Sequence, residues 1–167
     1  MKLLPLAVAC IVMLGAASAA RAQDVAPADK SFAIKAAASG MTEVAEARIA
    51  LGKSQNGDVK SFAQRMDKDH TQANNELMQI AQGEGLKLPT TPSKKDQAQA
   101  TKLSNLSGAN FDQAYVKDQV AAHEQAVALF KKESQSGKDA NLKSFATKTL
   151  PTLEDHLQMA QGLAAKK

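Results

Sequence analysis

The sequence predicts an all-α protein: a four-helix bundle with a long connection between helices two and three. Three observations carry that prediction. Apolar residues recur at alternating steps of four and three on several long stretches, the period of helices that face a bundle seam. Beyond the first 22 residues, no segment alternates at period two for long enough to make a strand. Turn and capping residues divide the chain into two hairpins, separated by a segment of some 25 residues that holds Pro89 and Pro92.

The first 22 residues read as a cleaved export signal. Lys2 supplies the positive start, and an apolar run of about a dozen residues follows, too short for a membrane span of about 20. Ala20-Arg21-Ala22 fits the small-x-small pattern of a peptidase site and places cleavage before Gln23; Ala17-Ser18-Ala19 is the other such site. Cys10 lies inside the apolar run with more apolar residues after it, which argues against lipid attachment. The expected location is periplasmic or secreted, with no stable membrane insertion after cleavage. Cleavage also removes the single cysteine. Disulfides, thiolate metal ligands, a cysteine nucleophile and Cys-x-x-Cys-His haem attachment are thereby excluded.

Lys2 and Arg21 leave with the signal, so 19 of the 21 basic residues remain against all 17 acids. The lysines are scattered among acids, and the chain has one tyrosine and no tryptophan. A basic, aromatic surface for stacking nucleic acid is therefore not expected. The remaining chain, about 145 residues, is enough for one hydrophobic core and thin for two. Residues 23–30 read as a disordered lead, and residues 31–167 as a single four-helix bundle domain.

Asp29 or Ser31 is placed to cap the first helix, which runs to about Lys53. Gln55-Asn56-Gly57-Asp58 makes the turn and caps helix two, which reaches about Gln82 before the stop signals Gly83 and Gly85. The connection holds one short, weakly amphipathic helix around residues 95–106. Gly108 or Asn110 opens helix three, which ends near residues 134–137. Asp139 or Asn141 opens helix four, which reaches about Ala164 and carries Pro151 inside it, so a kink is expected near residues 147–150. Val59-Lys60-Ser61-Phe62-Ala63 is echoed by Leu142-Lys143-Ser144-Phe145-Ala146, and Asp69-His70 by Asp155-His156, which points to two related hairpins. Two short hairpins joined by a long connection fit the ferritin-like arrangement, whose crossover spans a bundle of about 36 Å; a simple up-down-up-down bundle is the alternative.

The chain has three histidines, and each interrupts an apolar stripe. His70 follows Val59, Ala63 and Met66; His123 follows Val116 and Val120; His156 follows Ala146, Thr149 and Leu153. Each imidazole is expected to point inward, where a polar ring needs a partner. Counted from the helix ends at 1.5 Å per residue, Glu43 and the three histidines fall within roughly 6 Å of one height. Glu43, His70, His123 and His156 thus form a candidate site for one transition-metal ion, with zinc, iron, copper and nickel all compatible. The competing reading is a buried hydrogen-bonded network that sets packing. Glu43 shares a stripe with Phe32, Ala36, Ser39, Ala47 and Ala50, while Ile34, Met41, Val44 and Leu51 mark another inward face; Glu46, one turn on, is the substitute. Asp67 stands one turn from His70 as its local partner. Asp69 and Asp155 are better placed to hold a neighbouring helix's side chain or to face water.

No catalytic residues are identified. There is no Ser-His-Asp or Cys-His signature, no glycine-rich phosphate loop and no His-Glu-x-x-His. The pattern leans away from an enzyme and towards a bundle that supports the envelope, binds an envelope partner or self-associates. Three buried imidazoles also allow a pH response, because charging them together destabilises the core.

Several segments resemble the family called domain of unknown function 4142, exported bacterial proteins with a ferritin-like four-helix bundle. The resemblance rests on Gly40-Met41-Thr42-Glu43-Val44, on Val59 to Met66 with Asp69-His70-Thr71, on Gly108 to Val116, on His123, and on Leu150-Pro151-Thr152-Leu153-Glu154-Asp155-His156-Leu157. It covers residues 28–164. It implies the fold and an extracytoplasmic home, and no established activity. Against the di-iron ferritin-like pattern of paired glutamates and Glu-x-x-His the match is poor: Leu153 precedes His156 where a glutamate belongs, and His123 replaces another.

Overall fold

Asn56 and Asp139 each turn a side-chain oxygen back over the first amides of the helix that follows. Asn56 Oδ1 accepts from the amides of Asp58 at 2.9 Å and Val59 at 3.4 Å. Asp139 Oδ1 accepts from those of Asn141 at 3.0 Å and Leu142 at 2.8 Å. Such caps satisfy donors that a helix start leaves free, and each contributes about 1 kcal/mol. The structure, a computed structural model, describes residues 25–166. It contains α1 (Pro27–Lys53), α2 (Gly57–Gly83), α3 (Lys94–Ser104), α4 (Gly108–Ser136) and α5 (Ala140–Ala165). There is no strand among the described residues. The expected export signal lies outside them.

The bounds differ from expectation at the first helix. α1 starts at Pro27, so residues 27–30 are helical rather than part of a disordered lead. Proline suits this position because a first-turn N–H has no helical partner to lose. Neither Asp29 nor Ser31 is the cap; Ala26 holds that place without a side-chain bond. α2 closes on Gly85, whose φ of 66° is the left-handed conformation glycine tolerates, with Leu86 N–H donating to the Ala81 carbonyl at 2.8 Å. The α5 helix continues through Pro151, which is exposed.

Four ties fix the helix directions. Lys53 Nζ donates to the Leu106 carbonyl, so α1 ends where α4 begins. Asp29 Oδ2 accepts the amides of Lys138 and Asp139, so α1 begins at the α4–α5 turn. Asn141 reaches Glu84, and Lys166 reaches Asp58, so α5 runs opposite to α2. α1 packs on α2 and α4, and α5 packs on the same two helices. Every neighbouring pair is therefore antiparallel, while α2 and α4 run the same way. The segment between them returns the length of the bundle, with α3 resting on α1 and α4.

The core is divided in two. One apolar cluster, including Phe32, Leu77, Phe130, Leu142, Phe145 and Leu153, fills the end near the α4–α5 turn. The other, including Val59, Phe62, Met66, Leu103, Phe111 and Tyr115, fills the opposite end. Each joins residues from sequence-distant helices, so each holds the bundle together by removing apolar surface from water. Between them lies a layer of buried polar side chains. No helix among the described residues is long and apolar enough to cross a membrane.

Candidate metal centre

The polar layer is built from one stripe on each long helix. On α1, Phe32, Ala36, Glu43, Ala47 and Ala50 are buried, whereas Ile34 is exposed and Met41, Val44 and Leu51 are only half-buried. The stripe containing Glu43 is thus the inward one, and Glu43 is 3% exposed. Small alanines above and below it let α1 approach its neighbours closely. His70 on α2, His123 on α4 and His156 on α5 are buried on the stripes that carry Met66, Val116 and Leu153.

All four side chains meet. His70 Nδ1 lies 3.0 Å from Glu43 Oε2. His123 Nδ1 lies 2.9 Å from the Gln119 carbonyl, one turn back on α4. His156 Nε2 lies 3.0 Å from Asp69 Oδ2. Carboxylate and carbonyl oxygens accept, so each of these ring nitrogens donates, and the tautomers follow. The second nitrogen of each ring is left as a lone pair or, on a charged ring, a second N–H. His70 Nε2 and His123 Nε2 face each other at 3.4 Å, and His156 Nδ1 is buried without a partner. One ring nitrogen from each histidine falls within 4.8 Å of the others. Glu43 Oε1, also unpartnered, lies 4.0 Å from His123 Nδ1.

Electrostatics separate the rings. Burial, followed by the charge on His70, pushes the His156 pKa down to about 4. Burial likewise lowers that of His123. Burial also works against a charged His70, but the charge and hydrogen bond of Glu43 outweigh it and raise the pKa. For Glu43, burial opposes ionisation, and the imidazoles, His70 foremost, more than offset it, so its pKa is lowered. The result is an ionised carboxylate beside imidazoles of which two favour the neutral form, the form that binds metal.

Asp67 does not partner His70; its carboxylate is drawn to Arg48 at 2.9 Å, on the side of α2 away from the core. Asp69 reaches across to α5, and Arg65 holds it from one turn below at 3.3 Å. Glu46 is buried too, but it turns to α4, where it accepts from Gln119 Nε2 at 2.8 Å. Burial, then repulsion from Asp118 and Glu43, pushes its pKa up to about 7. The buried Tyr115 hydroxyl, whose pKa burial also raises, makes no hydrogen bond. Sequence patterning missed Gln119, whose signal was its place one turn before His123 on the same stripe.

Solved structures share this fold at low identity. A DUF305 fragment from Deinococcus radiodurans matches with a TM-score of 0.77 at 14% identity, over 87% of this chain and 100% of that one. A DUF305 protein from Streptomyces coelicolor, named as secreted, matches with a TM-score of 0.72 at 16% identity, over 86% of this chain and 92% of that one. No curated protein matches the chain. The family model for the domain of unknown function DUF4142 matches residues 14–163, a span that includes Glu43 and all three histidines, and the chain belongs to that family.

Proposed function

We propose that this chain is an exported, non-catalytic protein that binds one transition-metal ion on a ferritin-like four-helix bundle, through His70, His123 and His156 with Glu43 beside them. One observation carries the reading: three buried imidazoles, each held at one nitrogen by an acceptor, bring one ring nitrogen apiece within 4.8 Å of one another. Outer acceptors of this kind orient metal-binding histidines and fix their tautomers. Metal–nitrogen bonds of about 2.0–2.1 Å in a tetrahedron put ligand nitrogens about 3.3 Å apart, close to the 3.4 Å between His70 and His123. The antiparallel neighbours and the parallel α2 and α4 support the ferritin-like label. The signal-like residues 1–22 and the secreted Streptomyces neighbour support export.

Metal analysis of tag-free protein tests the reading. One equivalent of metal, lost on His123→Ala, is expected. No metal in any preparation, with no thermal shift on adding zinc, copper or iron, overturns it. The second reading, a purely structural histidine layer, draws on the His70–His123 contact, which is a hydrogen bond when His70 is protonated at Nε2.

A further inference from the structure

A narrow cavity of about 20 Å³ lies between the long helices, with Glu43 and His70 in its lining. Its walls are largely apolar, with Leu77, Phe130 and Phe145 among them. Glu43 and His70 are also the members of the centre with some exposure, 3% and 5%, against 0% for His123 and His156.

Two further lining residues stand one helical turn along from the centre. Gly40 precedes Glu43 by three residues on α1, and Asn74 follows His70 by four on α2, so each shares a face with its partner. A Cβ at Gly40 would run into the Asn74 amide oxygen, so that amide occupies the notch the glycine leaves. Asn74 is half-buried, and both residues line the cavity.

Three histidine ligands leave a tetrahedral ion one open position. A cavity of this volume admits one water-sized molecule. Apolar walls make desolvation of an ion costly, and the Glu43 carboxylate in the lining repels anions. We infer that the cavity is a subsite for a small uncharged ligand, water or a diatomic gas, which binds the ion held by the three histidines and enters past Asn74 and Gly40. This inference rests on the metal reading above.

The test uses purified protein loaded anaerobically with Cu(I), with carbon monoxide as the neutral probe and infrared detection of the copper-bound C–O stretch. One equivalent of copper and a single band are expected in the wild type. Ala73→Leu fills the cavity from a lining position that is not itself a ligand; it should keep its copper and bind carbon monoxide at least about tenfold more weakly, about 1.4 kcal/mol. Asn74→Ala should keep its copper and bind the gas faster than wild type. Wild type that holds copper but shows no band overturns the subsite and leaves the metal reading standing, as does undiminished binding in copper-loaded Ala73→Leu. Should Ala73→Leu not fold, an unchanged association rate in Asn74→Ala overturns the proposed entry. Absence of bound copper, zinc or iron in the wild type overturns the metal reading, and the subsite with it, before any gas is added.

Discussion

His70 and His123 face each other through Nε2 at 3.4 Å while both of their Nδ1 atoms are already committed, to Glu43 and to the Gln119 carbonyl. Two neutral rings in those tautomers would oppose lone pair to lone pair. A cation has to lie between them: a proton on His70 or a metal ion shared with His156. Glu43 favours either, because its buried carboxylate is compensated by positive charge.

Metal should therefore displace a proton and stabilise the fold. At a free concentration about 100 times the dissociation constant, the gain is about 2.7 kcal/mol. For a domain of this size that raises the Tm by about 5–10 °C. Calorimetry with added zinc or copper, against a chelated control, measures it. The gain should vanish in His70→Ala.

Asp69 touches the centre only through His156, whose Nε2–H it accepts while Arg65 holds it in place. Asp69→Asn keeps the size and an acceptor but loses the charge and the preference for one orientation. Metal affinity should fall by about 10–100-fold, the usual cost of disturbing such a support. Competition with a chromogenic chelator checks this. An unchanged affinity would mean that His156 is not a ligand.

How much of this was legible in the sequence depends on contrast. Asn56, Asp139 and the stripes on α2, α4 and α5 stood out because capping and large apolar side chains leave a one-dimensional pattern. The facing of α1 did not. Its alanines are nearly as compatible with water as with a core, so Ile34 and Met41 competed with Glu43 until neighbouring helices fixed the rotation. Asp67 and Asp69 illustrate a second limit. Sequence spacing placed Asp67 under His70, but the choice between them was made by Arg48, His156 and Arg65, which other parts of the chain bring close.

Buried ionisable groups give the metal-free protein opposing pH slopes. Glu46 has a folded pKa raised from 4.5 to about 7, so its neutral form suits the fold, and stability is lost as pH rises from 4.5 through 7. His156 has a folded pKa lowered from 6.5 to about 4, so stability is complete above 6.5 and lost as pH falls towards 4. Stability should therefore peak in weak acid. Glu46→Gln removes its share of the alkaline loss, to which Glu133 and His70 also contribute, and should stabilise the protein by up to about 3 kcal/mol at pH 8 with little effect near pH 4.5. Urea unfolding at both pH values measures the difference.

Asp29 offers a test of the fold away from the histidines. It is 1% exposed, in the first turn of α1, yet its Oδ2 accepts the amides of Lys138 at 2.9 Å and Asp139 at 2.5 Å. Those amides sit at the turn into α5, so one carboxylate joins the start of the first hairpin to the middle of the second. Asp29→Ala leaves both without their acceptor. A hydrogen bond to a charged group contributes about 1.5–3 kcal/mol, and the loss of two that share one oxygen should cost about 2–4 kcal/mol. Asp29→Asn keeps an acceptor and should cost about half as much. The centre lies between the two apolar clusters and does not include this turn, so metal content should be unchanged in any folded fraction. Denaturant unfolding paired with metal analysis separates the two effects: a variant that loses metal without losing stability would show that α1's start also positions Glu43.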